Sequence, residues 1–198
     1  MESDMTLREK LKGKELKAFC FFSMAMLFVA AMAGMIQEGQ GPLALIRGLC
    51  TIIISRDALI TDYFELAGHG AAFLNGVLVM GMGMWLLCRE KVKFTGLTMA
   101  AVFINVGYGF WGKNPVNILP ILFGTSAYAL VHGAQLSRYI YTGFFGTSLA
   151  PLVTELVYEL PFDWRVNLLI SIAAGMAIGF ILPGLSVHTA SMHMGYNL

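Results

Sequence analysis

The run from Ala18 to Ile36, AFCFFSMAMLFVAAMAGMI, holds no charged residue and decides the fold class. As a helix it would rise roughly 28 Å, close to the hydrocarbon thickness of a bilayer. In front of it lie five basic residues, Arg8, Lys10, Lys12, Lys14 and Lys17. The apolar run is longer than the core of a cleavable leader and has no small-residue cleavage pattern at its end, so it reads as a retained first span. Composition agrees. The chain is 57% hydrophobic and 13% charged over 198 residues, about half the charged fraction of a soluble domain. A soluble core of this size could not cover so much apolar surface. The expected fold is therefore all-α, a polytopic helical membrane protein with lipid as its main solvent.

Further along, Pro42 to Ser55 is a short apolar piece interrupted by Arg47 and followed by Arg56, Asp57, Asp62 and Glu65. Too short and too charged to face lipid on every side, it reads as a re-entrant or interfacial helix. Gly68 to Cys88 is a second span, Phe94 to Trp111 a third, Asn114 to Val131 a fourth, Tyr139 to Tyr158 a fifth and Val166 to Leu182 a sixth. The tail from Pro183 to Leu198 is moderately apolar. The basic residues set an orientation: the amino tail, residues 1–17, and the loop holding Arg89, Lys91 and Lys93 both fall on the cytoplasmic side of a cell membrane if Pro42 to Ser55 does not cross. Residues 18–198 then form a single transmembrane domain. Past that loop, Lys113, Arg138 and Arg165 are isolated charges and fix little.

The residues able to carry chemistry lie where this pattern is broken. Asn114-Pro115-Val-Asn117 pairs a capping amide with a proline suited to a first helical turn, and Pro120 removes a further donor downstream. Freed backbone groups need partners in lipid, so this segment is expected to be buried in protein or to line a wet cavity. Phe-Gly-Thr-Ser occurs twice, at 123–126 and 145–148. Its glycines suit close helix approach, and Thr125, Ser126, Thr147 and Ser148 serve either as packing contacts or as a polar path. Asn75 and Asn105 lie inside spans, where an amide must find a partner. Glu155 sits in an apolar run near the end of its segment, and His69 follows Glu65 at i, i+4. Both are candidates for coupling to a proton or cation, or for interface positions. His132, His188 and His193 are scattered.

The spacing of Cys20, Cys50 and Cys88 suits no metal, and buried inert thiols are expected. Nucleotide-binding, zinc-protease and serine-hydrolase signatures are missing, which argues against an enzyme and leaves no cofactor implied. A net charge of +1 points to no nucleic-acid partner.

Two stretches carry a resemblance: Gly112-Lys-Asn-Pro-Val-Asn-Ile-Leu-Pro-Ile-Leu-Phe-Gly-Thr125 and Phe145-Gly-Thr-Ser-Leu-Ala-Pro-Leu-Val-Thr-Glu-Leu156. Through them the chain resembles an uncharacterised family of bacterial multi-pass membrane proteins, a domain of unknown function, as its amino-terminal half. The ending His193-Met-Gly-Tyr-Asn-Leu198 is similar to the opening of a further helix. The resemblance implies a second half, supplied by a longer chain or by a partner chain. More distantly, Asn114-Pro115 and Gly124-Thr125 are similar to the half-helix pattern of urea transporters, which is repeated there in two inverted halves. The expected function is a transporter or channel subunit for a small polar solute, one half of a pseudo-symmetric pore or a member of a homo-oligomer. Its pathway would use Asn75, Asn105, Asn114, Asn117, Thr125 and Thr147, with Glu155 and His69 for coupling. The other reading is a non-transporting scaffold or assembly subunit whose polar residues pair across helix contacts.

Overall fold

An apolar run of the length of Ala18 to Ile36 can satisfy its own backbone without water as an α-helix, and it lies inside one here. The computed structural model describes residues 2–58 and 60–192, most of them helical and with no strand among them. Eight α-helices follow in order: α1 Glu2–Gln37, α2 Pro42–Ile54, α3 Tyr63–Arg89, α4 Gly96–Tyr108, α5 Leu119–Val131, α6 Ile140–Gly146, α7 Ala150–Glu159 and α8 Trp164–Met192. Four stretches are long and apolar enough to cross a membrane: Leu11–Gln37, Tyr63–Arg89, Ile140–Glu159 and Trp164–Ser186. Helices α2, α4 and α5 are apolar but shorter.

Several expected boundaries shift, each for a local reason. The run at 94–111 begins its helix only at Gly96, because Thr95 caps it: the Thr98 N–H donates to Thr95 Oγ1, and the Thr95 N–H donates to Thr98 Oγ1. The run at 114–131 is helical only from Leu119, which puts Pro120 in the first turn of α5, where its missing N–H leaves the ladder intact. The expected mid-segment break at Pro120 is therefore absent. The fifth run divides at a 3₁₀ turn, Thr147–Leu149, into α6 and α7, with Pro151 in the first turn of α7. The sixth runs on through Pro183 to Met192. His193 to Leu198 lie outside the described residues.

The chain divides into two compact units. The first comprises residues 1–52 and 62–111, with α1 packed on α3 and both touching α4. Glycines permit the close approaches: a Cβ on Gly34 would meet the backbone of His69 and Gly70, and one on Gly48 would meet Ala67 and Ala71. A buried group of Ile52, Tyr63, Ala71 and Ala72 anchors this unit. Helix α2 buries Leu45, Gly48 and Ile52 along one face and leaves Arg47 exposed. Phe19, Phe22 and Val29 of α1 stay exposed, as a lipid-facing helix requires.

The second unit comprises residues 53–61 and 112–198 and is built on α8. Helix α5 lies closest to it. A Cβ on Gly124 would run into the Met176 carbonyl, and one on Gly179 into that of Ile121. Asn167 of α8 donates to the carbonyls of Val157 and Leu160, satisfying the end of α7.

Candidate functional site

The second unit buries a polar cluster beside the break that precedes α5. Asn114 Oδ1 accepts from the N–H groups of Val116 and Asn117 at 2.9 and 3.0 Å. The Asn114 N–H in turn donates to Asn117 Oδ1 at 2.9 Å. These reciprocal bonds fold residues 114–117 into a turn that carries its own caps, with Pro115 at the one position that offers no donor. Asn117 Nδ2 then reaches three acceptors: the Gly112 carbonyl at 2.9 Å, Thr154 Oγ1 at 3.1 Å and Asp57 Oδ2 at 3.2 Å. Asn114 Nδ2 approaches the same Asp57 oxygen at 3.5 Å. Lys113 Nζ donates to Thr147 Oγ1 at 2.7 Å, and that hydroxyl donates to the Phe144 carbonyl at 2.6 Å.

All six side chains are buried; Asp57 is 0% exposed and Lys113 1%. Removing an acid and a base from water costs several kcal/mol each unless dense hydrogen bonding offsets it. The positions of these groups follow from their supports. Gly112, at φ 96°, turns the chain into the break with Pro151 and the Ala58 carbonyl packed against it, and a side chain there would be strained. Segment 53–61 is pinned to α7 from outside. Arg56 binds Glu155 at 2.6 Å and Glu159 at 2.5 Å, and the Tyr158 hydroxyl donates to the Ile54 carbonyl. Arg56 thus faces the surface while its neighbour Asp57 points inward.

Of the residues expected to line a pathway, Asn114 and Asn117 bond to each other here, and Thr147 binds Lys113, the residue just before Asn114. The other three lie elsewhere. Thr125 donates to the carbonyls of Ile121 and Gly179 and packs on Gly143, so it serves the α5–α8 contact. Asn75 donates to the Gly109 carbonyl at 2.5 Å and Asn105 to that of Ala101 at 2.7 Å, both within the first unit. The two copies of Phe-Gly-Thr-Ser therefore do different work, since Gly124-Thr125 packs helices while Thr147 joins the buried cluster. Among the other hydroxyls, Ser126 bonds back to the Leu122 carbonyl, and Ser148 is half-buried in the 3₁₀ turn.

Neither coupling candidate enters the cluster. Glu155 is taken by Arg56. His69 does not pair with Glu65, because Gly68 at φ 84° and ψ 164° breaks the helical register between them. Instead Glu38 Oε1 accepts from the His69 N–H at 2.8 Å and lies 2.8 Å from its Nδ1. That contact holds the Glu38 carboxyl below its ordinary value of 4.5, first through the backbone N–H and then through the ring.

Sequence reasoning missed Asp57, Lys113 and Thr154. In sequence, Asp57 is one of several charges that follow a short apolar piece, and Lys113 is an isolated charge that fixes little. Their adjacency to an Asn-Pro break inside apolar sequence was the available signal. Among the described residues no three His, Cys, Asp or Glu side chains gather to hold a metal ion.

No curated protein and no solved structure matches this chain. The likeness to urea transporters accordingly stays confined to two dipeptides, and Asn114 and Thr125 serve separate networks here. A family match, by contrast, covers residues 42–198 and includes every member of the buried cluster. On that match the chain belongs to the family described as protein of unknown function (DUF1576).

Proposed function

We propose that the chain is a transporter or channel subunit for a small polar solute, with the cluster of Asp57, Lys113, Asn114, Asn117, Thr147 and Thr154 as its binding centre. One observation carries the reading: an acid and a base are fully buried among amides and hydroxyls in a chain whose helices suit lipid. Ionisable groups inside a membrane domain are expensive, and they mark substrate or ion pathways more often than packing. In this reading the chain crosses a cell membrane several times with its amino terminus cytoplasmic. Helices α2, α4 and α5 serve as half-length or re-entrant elements, and the break ahead of α5 carries the side chains that a solute meets. The amides and hydroxyls replace the solute's water, and Asp57 and Lys113 take the coupling role in place of Glu155 and His69.

The test is flux into proteoliposomes. Vesicles containing the purified chain are mixed with urea, acetamide, glycerol or acetate, and swelling is followed by light scattering with a pH dye inside. The expected result is entry of at least one solute above the rate of empty vesicles. Asp57→Asn should cut that entry by about tenfold or more, the scale of losing one charge-assisted bond. The paired variant Asp57→Asn with Lys113→Met removes both charges together and keeps the fold testable, because neither charge is then buried alone. Folded protein with wild-type flux in the paired variant, or no flux for any of the four solutes, supports the scaffold reading instead.

A further inference from the structure

In the first unit, the start of α1 and the turn joining α3 to α4 line an open pocket of about 600 Å³. Its lining includes Lys12, Lys14, Lys17, Lys91 and Lys93, with Glu9 as the one acidic side chain among the lining residues described. The lysines come from two stretches more than seventy positions apart, and folding brings them around one space. A shared orientation rule explains why each stretch is basic. It does not require them to face a common cavity.

The local backbone adds to the charge. Helix α3 ends with the Val92 N–H bonded to the Leu87 carbonyl and the Lys91 N–H to that of Cys88, the pattern in which glycine is the usual next residue. Here Lys91 occupies that position at φ 53°. A cation is held where a residue without a side chain would fit with less strain. Helix α4 then opens at Gly96, itself part of the lining, so the positive end of its dipole borders the same space. Phe94 forms the apolar wall, with the Lys17 ammonium 5.8 Å above its ring, and its carbonyl lies 3.4 Å from where a Cβ on Gly13 would stand. Lysines, a helix amino terminus and an apolar wall together match a phosphate group attached to a larger body.

We infer that this cavity binds a phosphate-bearing anion, either the head group of an acidic phospholipid or a soluble phosphate ester. It sits where two stretches fit to cross a membrane reach their ends, Leu11 on α1 and Arg89 on α3, so a lipid head group lies within reach. The site shares no residue with the buried cluster and needs no transport activity.

The experiment uses the full chain in neutral detergent, titrated with phosphatidylglycerol, phosphatidylcholine or inorganic pyrophosphate. Native mass spectrometry reads lipid binding and calorimetry reads pyrophosphate. The wild type should bind phosphatidylglycerol or pyrophosphate at least about tenfold more tightly than phosphatidylcholine. Combined Lys14→Gln, Lys91→Gln and Lys93→Gln should abolish that preference, and the matching Lys→Arg variant should keep it. Arg138→Gln with Arg165→Gln, which removes charge outside the cavity, should leave it unchanged. Phosphatidylglycerol preference without pyrophosphate binding identifies the lipid source, and pyrophosphate binding identifies the soluble one. The inference is overturned if the glutamine variant, with wild-type melting behaviour, binds both as the wild type does. It is equally overturned if the arginine control loses as much as the lysine variant, because the effect is then diffuse charge.

Discussion

The chain interrupts its helices in two places that can be set side by side, Gly68 within α3 and residues 109–118 ahead of α5. Each leaves backbone donors and acceptors that a membrane will not satisfy. At Gly68 the repair is small: the Glu38 carboxyl caps the next N–H and touches the His69 ring, which is mostly exposed. At 112–117 two reciprocal asparagine caps already satisfy the turn. Around them the chain adds a buried acid, a buried base and two buried hydroxyls. One repair uses a single side chain near the surface. The other carries more charge than the backbone needs, and that excess is what the proposed binding role rests on.

The largest expected effect tests that excess directly. Asn117→Leu removes the donor shared by Asp57, the Gly112 carbonyl and Thr154, as well as the acceptor for the Asn114 N–H. Leaving those groups buried without it should cost about 3–5 kcal/mol. For a chain of this length that lowers the melting temperature in detergent by about 6–20 °C. Glu38→Gln, the corresponding change at the other break, should cost under about 1 kcal/mol, because glutamine retains an acceptor for the His69 N–H. Equal losses for the two variants would erase the distinction between the breaks.

Gly68→Ala is intermediate. The residue lies in a backbone region that only glycine enters freely, and a Cβ there would stand 2.7 Å from a Glu38 carboxylate oxygen. Strain of that kind costs about 1–3 kcal/mol. The expectation is a lower melting temperature with solute entry unchanged, since the affected groups lie outside the buried cluster. A Gly68→Ala variant of full stability and reduced flux would assign a functional role to the first break as well.

What the sequence shows of this arrangement depends on how local each cause is. The apolar runs at 18–36 and 166–182 announce long helices, because length and the absence of charge are properties of the run itself. Asn114, Asn117 and the proline between them are equally local, and so is their turn. Asp57 and Lys113 are not. A charged residue between apolar segments reads as an interface residue, and only contacts some sixty positions away bury Asp57. Thr125 and Thr147 occupy the same position in identical tetrapeptides yet differ in role, because one meets the carbonyl of Gly179 and the other the ammonium of Lys113. The Glu65–His69 spacing misleads for a related reason. Helical periodicity holds only while the backbone is helical, and nothing in glycine-rich sequence marks Gly68 as the residue that leaves it.

The smallest effect is a pH dependence, and it belongs to the simpler break. The Glu38 carboxyl is held below 4.5 in the folded chain by the His69 N–H and ring, so folding favours its charged form. The stability this contributes is complete above pH 4.5, the ordinary value, and is lost as pH falls below it through the folded value. Partial exposure keeps the contribution under about 1 kcal/mol. Melting temperatures of the wild type and Glu38→Gln, compared from pH 6 to pH 3.5, should therefore differ by a few degrees at the upper end and converge at the lower. A gap that stays constant across that range would mean that Glu38 acts there only as a neutral acceptor. The first break would then involve no charge at all, and its contrast with the cluster of Asp57 and Lys113 would be sharper still.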